Sequence, residues 1–215
     1  MTPLFSTTFE EEVGIMARTS PGRVGLLLSA GHDSPCIAIA LHNNNIPFVA
    51  YTHSETIIKE DANTLQAVAG FVNEHQFIGF DTPGDLLTKV AKRDGIGSLF
   101  AGLGGDEMCH GNWQGIDEYI YLYRRACGWN NVLPCLPFCS PTINNAYEAN
   151  GYGGRKPLQN YLARHGVPLP TKKVAFDEYL DPRGKNYGKE EIQSITNVTG
   201  PTAKREQLVE KSNEA

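Results

Sequence analysis

Val24-Gly25-Leu26-Leu27-Leu28-Ser29-Ala30-Gly31-His32-Asp33-Ser34 is the stretch on which the fold turns. An apolar run suited to a buried strand breaks into a short loop of small residues, then into a helix-like segment. A helix that begins directly after a strand points unpaired backbone N–H groups, and the positive end of its dipole, into that loop. Ser29, Gly31 and Ser34 let a phosphate approach the backbone closely, and Asp33 can hold a magnesium ion against it. The stretch reads as a pyrophosphate-binding loop and points to ATP chemistry.

Outward from this loop, short apolar runs alternate with longer amphipathic ones. Strands are expected over 23–29, 47–52, 76–81 and 98–102, and helices over 34–44, 61–73, 83–93 and 115–125. Leu65, Val68, Ala69 and Val72 fall at helical spacing, as on the buried face of a crossover helix. Strand and helix in alternation mean an α/β fold, a parallel sheet sandwiched by helices. In such sheets ligands bind at the carboxyl ends of strands. The two loops richest in Gly, Ser and Asp, 29–34 and 102–107, both fall there.

The second half is less regular. Residues 130–154, dense in Pro, Cys, Asn and Gly, are expected to wind over the surface. Residues 158–165 and 185–194 read as helical, and the charged last fifteen residues as frayed. The organisation expected is an N-terminal extension over 1–20, a nucleotide-binding core over 21–128, and a less regular helical portion of the same domain over 129–215.

Bulk properties narrow the class. A chain of 215 residues, 40% hydrophobic, can bury one substantial core. A formal net charge of −5 argues against a dedicated nucleic-acid binder. The N-terminus carries an acidic triplet and no apolar core, unlike a signal peptide. No apolar run approaches the roughly 18 residues of a membrane span. Five cysteines, an odd number, do not suggest a disulfide framework. Cys127, Cys135 and Cys139 match no common zinc spacing, and Asn197-Val198-Thr199 is a glycosylation sequon by letter only. The chain reads as cytoplasmic.

Neither G-x-x-x-x-G-K-[ST] nor G-x-G-x-x-G is present, which speaks against a P-loop kinase and a dinucleotide-binding Rossmann domain. A second loop, Leu99-Phe100-Ala101-Gly102-Leu103-Gly104-Gly105-Asp106-Glu107, again ends a strand in glycines, now followed by two carboxylates. Asp106 and Glu107 alone could serve a helix dipole. Together, Asp33 and Asp106 suit a magnesium ion bound to a triphosphate through few protein oxygens.

These residues resemble a known group. Ser29-Ala30-Gly31-His32-Asp33-Ser34 is similar to the S-G-G-x-D-S loop of the ATP-pyrophosphatase, or PP-loop, enzymes. Ala101–Glu107, with Gly111 beyond, resembles the S-G-E-G-x-D-E…G segment of the asparagine synthetase synthase domain. Arg155-Lys156-Pro157-Leu158-Gln159-Asn160 is similar to that family's R-x-P-F-L-D turn. Lys185 and Lys189 fall where a K-x-x-L-R segment is expected, and Ala203-Lys204-Arg205-Glu206-Gln207 resembles the late segment carrying a catalytic lysine.

The resemblance implies an adenine-nucleotide α-hydrolase-like, Rossmann-like fold and an AMP-forming carbon–nitrogen ligase. A carboxylate would attack the α-phosphate of ATP, and ammonia or an amine would then displace AMP. Leu28, Ser29, Ala30, Gly31, His32, Asp33, Ser34, Thr52, Gly102 and Gly104 would bind ATP. Asp33 and Asp106 would hold Mg2+, and Lys204 and Lys185 would act in catalysis.

The departures bear on substrate. Ala30 stands for a loop glycine and is acceptable only at negative φ. Leu103 replaces a glutamate near the attacking ammonia in asparagine synthetases, which argues against plain aspartate amidation. With Met1-Thr2-Pro3 at the start there is no N-terminal glutaminase cysteine. Nitrogen is therefore expected from free ammonia, an amine substrate or a partner subunit, and the partners expected are a small carboxylate, the amine or ammonia, and a separate glutaminase or a homo-oligomer partner. Two other readings stay open. One is a PP-loop enzyme that adenylates a nucleobase or tRNA, kept open by Cys36 and Cys109 beside the loops. The other is a catalytically silent nucleotide-binding or scaffold module.

Overall fold

The first apolar run becomes the central strand of a parallel sheet. The computed structural model describes residues 4–53, 62–79, 83–111, 113 and 116–169. Its strands are β1 (Arg23–Leu27), β2 (Phe48–His53), β3 (Glu74–Ile78), β4 (Ile96–Phe100) and β5 (Leu133–Cys135), in the order β3-β2-β1-β4-β5 and all parallel. Leu26 pairs with Ala50 on one side and Phe100 on the other. The chain leaves β1 toward β2 and later returns to β1's other edge as β4. The carboxyl ends of β1 and β4 therefore flank the topological switch point, where open α/β sheets bind ligands.

The helices are α1 (Phe5–Arg18), α2 (Asp33–Asn43), α3 (Ala62–Ala69), α4 (Pro83–Asp94), α5 (Gly105–His110), α6 (Ile116–Trp129), α7 (Pro141–Ala149) and α8 (Lys156–Arg164), with a 3-10 turn at Pro137–Cys139. One face of the sheet, with Val24, Leu26, Phe48 and Ala50, packs on α1, α2, α3, α7 and α8. The opposite face, with Val49, Tyr51, Ile78 and Leu99, packs on Leu86, Leu87 and Val90 of α4 and on Tyr123, Ala126 and Cys127 of α6. The expected α/β sandwich is the fold observed. Helix α2 is buried nearly all round from Ser34 to Leu41, as befits a helix with sheet on one side and helices on the other.

Two segments differ from expectation. Residues 5–18 form a core helix: Phe5, Phe9, Val13 and Ala17, spaced by four, are all buried. Phe9 stacks on Phe138 at 5.2 Å and meets Tyr161 edge-on at 5.8 Å. Residues 130–154 do not wind over the surface. They contain β5, the 3-10 turn and α7, and bury Cys135, Phe138, Ile143 and Tyr147. Their prolines start elements rather than break them: Pro137 and Pro141 occupy the first helical turns, where the missing N–H costs nothing. No helix among the described residues is long and apolar enough to cross a membrane.

Candidate functional site

Between the ends of β1, β2 and β4 lies a cleft of about 570 Å³, lined on one side by Ser29, Gly31, His32, Asp33 and Ser34 and on the other by Gly102, Leu103, Gly104, Asp106 and Glu107. The first loop is tied by its own hydroxyls. Ser29 N–H donates to Ser34 Oγ at 2.9 Å, the two hydroxyls lie 3.1 Å apart, and Gly31 N–H reaches Ser29 Oγ at only 3.4 Å. The Gly31 amide is thus weakly engaged and available to an anion. Helix α2 opens at Asp33, which puts its positive end against the same loop.

The second loop is shaped around the first. A Cβ on Gly102 would stand 2.9 Å from Asp33 Cβ, and one on Gly105 would stand 2.5 Å from Asp33 Oδ1. Gly104 has φ +92°, in the left-handed region, and packs against Cys139 and Trp113. The glycines after β4 therefore admit the Asp33 side chain. They are packing partners of the phosphate loop as well as a turn.

Asp33 Oδ1 is buried and accepts no hydrogen bond from the described residues. Burial pushes its carboxyl up to about 7, with Asp106 and Glu107 adding to the rise and Arg155 opposing it. Asp33 is thus a desolvated carboxylate with a second one near it, and the Arg155 guanidinium only partly offsets their charge. Among the described residues no three His, Cys, Asp or Glu gather to hold a metal. Magnesium bound to phosphates needs only one or two protein carboxylates, so the orphaned Asp33 oxygen and Asp106 fit that ion.

The remaining expected residues divide. Leu28, Ser29, Gly31, His32, Asp33, Ser34, Gly102, Gly104 and Asp106 all line the cleft. Ala30 does not; it is buried in the core, and its φ is not positive. Thr52 is fully buried, with its hydroxyl donating to Leu28 O at 2.9 Å and facing His75 Nε2 at 2.7 Å. It anchors the start of the loop from behind. Lys185 and Lys204 lie outside the described residues.

Tyr51, His53, Ile116 and Tyr123 line the cleft unannounced by any motif. Strand alternation carries a signal for two of them: with Thr52 pointing into the sheet's interior, Tyr51 and His53 share the opposite side. Arg155, at the start of α8, pairs with Asp106 through Nη2 and Oδ1 at 2.6 Å. His32 faces Gln159 of α8 at 3.4 Å, and burial followed by Arg155 lowers its pKa.

The cysteines beside the loops are buried thiols. Cys36 is fully buried, 3.8 Å from Leu158 O, and burial raises its thiol well above the ordinary value. Burial likewise pushes Cys109 up to about 11.

No protein-family model matches the chain, and no curated protein matches it in sequence. Among solved structures, the U34-tRNA thiolase NcsA from Methanococcus maripaludis, with its 4Fe-4S cluster, is similar in fold. The TM-score is 0.50 and the identity 14%, over 90% of this chain and 72% of the thiolase chain. At that identity the likeness is one of architecture, and it is the architecture expected from the loops. The five cysteines of this chain are free thiols, and among the described residues they join no group of three metal-ligating side chains.

Proposed function

We propose that this chain is an ATP-dependent adenylating enzyme that splits ATP between its α- and β-phosphates. The observation that carries this reading is the buried, unpartnered Asp33 oxygen at the mouth of the phosphate loop, with Asp106 beside it. An acceptor oxygen attacks the α-phosphorus; the new O–P bond forms as the bond to the β-phosphate oxygen breaks, and pyrophosphate leaves. A second nucleophile then attacks the activated carbon and AMP departs. Gly31 N–H, the hydroxyls of Ser29 and Ser34, and the opening turn of α2 hold the pyrophosphate. Asp33 and Asp106 would hold Mg2+, which would supply positive charge against the leaving group.

The acceptor we favour is a nucleobase oxygen of RNA. Two observations support it: the fold likeness to a tRNA thiolase, and the apolar wall of Leu103, Ile116 and Tyr123, which suits a flat base. Because Cys36 and Cys109 are buried thiols, the second nucleophile comes from a co-substrate rather than from a cysteine of the site. A second reading, amide formation on a small carboxylate, is favoured by the likeness of Gly102–Glu107 to the asparagine synthetase segment. Under it, Leu103 stands where the asparagine synthetase segment carries a glutamate.

The test is pyrophosphate exchange into ATP with the purified chain and Mg2+. It is run once with bulk tRNA and once with a panel of carboxylic acids plus ammonium. Exchange with tRNA that is abolished in Asp33→Asn supports the favoured acceptor, whereas exchange with an acid alone supports the second. No exchange with either overturns the proposal.

A further inference from the structure

We propose that Arg155, paired with Asp106, is an anion-binding residue of this site, released to the pyrophosphate when Asp33 and Asp106 bind a divalent cation. The inference rests on the adenylating reading above and concerns a residue to which the sequence attached no task.

Arg155 is held in place by the framework around it. The preceding residue, Gly154, donates its N–H to Cys109 O at 2.9 Å, and the Tyr147 hydroxyl donates to Gly154 O. Cys109 lies on α5, the helix that carries Asp106. The backbone bearing the guanidinium is therefore fastened to the element bearing its partner. One turn on, Gln159 meets His32, so α8 contacts the phosphate loop as well. Arg155 stands close enough to influence both His32 and Asp33.

Its present bonding is incomplete. Nη2 meets Asp106 Oδ1, while Nε is buried and has no hydrogen-bond partner among the described residues. A guanidinium presents five donors in a planar fork suited to phosphate oxygens. A single bond to one carboxylate oxygen leaves most of that capacity unused.

The exchange is favourable in electrostatic terms. The Asp106 side chain is 52% exposed and that of Arg155 37%, and ion pairs exposed to this degree contribute little net stability. Carboxylates prefer a divalent cation to such a pair, and once they are neutralised nothing retains the guanidinium at Asp106. The new anion on that side of the site is the pyrophosphate in the loop whose His32 meets Gln159 of the same helix. Arg155 thus gives up Asp106 to the cation and joins the anion cradle.

The experiment is calorimetric titration of the full chain with Mg2+ alone, then with inorganic pyrophosphate in saturating Mg2+, for wild type, Arg155→Gln, Arg155→Lys and Asp33→Asn. Arg155→Gln should bind Mg2+ alone several-fold more tightly, because its competitor is gone. It should bind pyrophosphate roughly 10- to 100-fold more weakly, the loss expected for a charge-assisted hydrogen bond. Arg155→Lys should return part of both effects. A merely structural arginine would not move the two ligands in opposite directions. If Arg155→Gln binds both as wild type does, or loses both, while Asp33→Asn abolishes Mg2+-dependent pyrophosphate binding, the Arg155 proposal falls and the loop reading stands. If wild type and Asp33→Asn bind pyrophosphate alike, the loop reading falls and takes this proposal with it.

Discussion

Gly105 lies against the Asp33 carboxyl so closely that a methyl group there would stand 2.5 Å from Oδ1. The two loops, far apart in sequence, are therefore one interlocked unit. Gly105→Ala must displace either the Asp33 side chain or the opening turn of α5. Under the proposed function Asp33 faces cation and phosphate, so the expected result is loss of Mg2+-ATP binding with the fold retained. Titration of nucleotide alongside far-ultraviolet circular dichroism checks it; undiminished affinity would show that the loops do not depend on each other.

Asp33 gives a stability signature as well as a functional one. Its folded value, about 7, lies above the ordinary 3.8. Between those values the folded chain binds more protons than the unfolded one. Stability is thus greatest below the unfolded value and declines as pH rises toward the folded value, by roughly 1.4 kcal/mol for each pH unit crossed. Asp33→Asn removes the charge. It should raise Tm at pH 8, leave it nearly unchanged at pH 4, and abolish cation binding. Thermal melts at the two pH values decide; a lower Tm at pH 8 would mean that the carboxylate is satisfied in the fold.

Cation binding should follow the same titration. With its carboxyl pushed up to about 7, Asp33 holds a proton near neutral pH that a Mg2+ ion bound there would have to displace. Affinity for Mg2+ should rise as pH increases from 6 to 8, with proton release seen as buffer-dependent binding heat. A pH-independent affinity would remove Asp33 from the metal site.

Ala30 separates backbone need from sequence likeness. Its φ is not positive and its methyl is buried, so a glycine has no conformational advantage there. Ala30→Gly should cost roughly 0.5–1 kcal/mol, more if the lost methyl contacts count, without improving nucleotide affinity. Urea denaturation and nucleotide titration test both halves; tighter binding would show that the methyl obstructs the loop.

The first helix is structural. Phe9 is fully buried between Phe138 and Tyr161, joining residues 5–18 to the chain beyond β5. Phe9→Ala should destabilise by about 3–5 kcal/mol, as buried phenylalanine truncations do. A loss below about 1 kcal/mol in denaturant midpoint analysis would mean that α1 is dispensable.

Much of this is readable from residues alone, and the misses have physical causes. The parallel sheet and both loops are legible because buried strands and glycine-rich turns impose narrow local chemistry. Helix α1 is carried by the four-residue spacing of Phe5, Phe9, Val13 and Ala17, a signal that its place ahead of the first strand obscures. Residues 130–154 mislead because proline marks helix starts as well as loops, and burial of Phe138 and Ile143 depends on contacts from distant segments. Family likeness puts Thr52 in the cleft, whereas alternation assigns that side to Tyr51 and His53. Arg155's partner, Asp106, lies across the site and no local pattern names it.

Everything functional here depends on which bond of ATP is cut. Phosphorus-31 resonance spectra of ATP and Mg2+ incubated with the full chain and bulk tRNA, then with carboxylic acids and ammonium, identify the products directly. AMP and pyrophosphate, absent with Asp33→Asn, are the products expected. ADP and inorganic phosphate, or unaltered ATP under every condition, would contradict an adenylating enzyme.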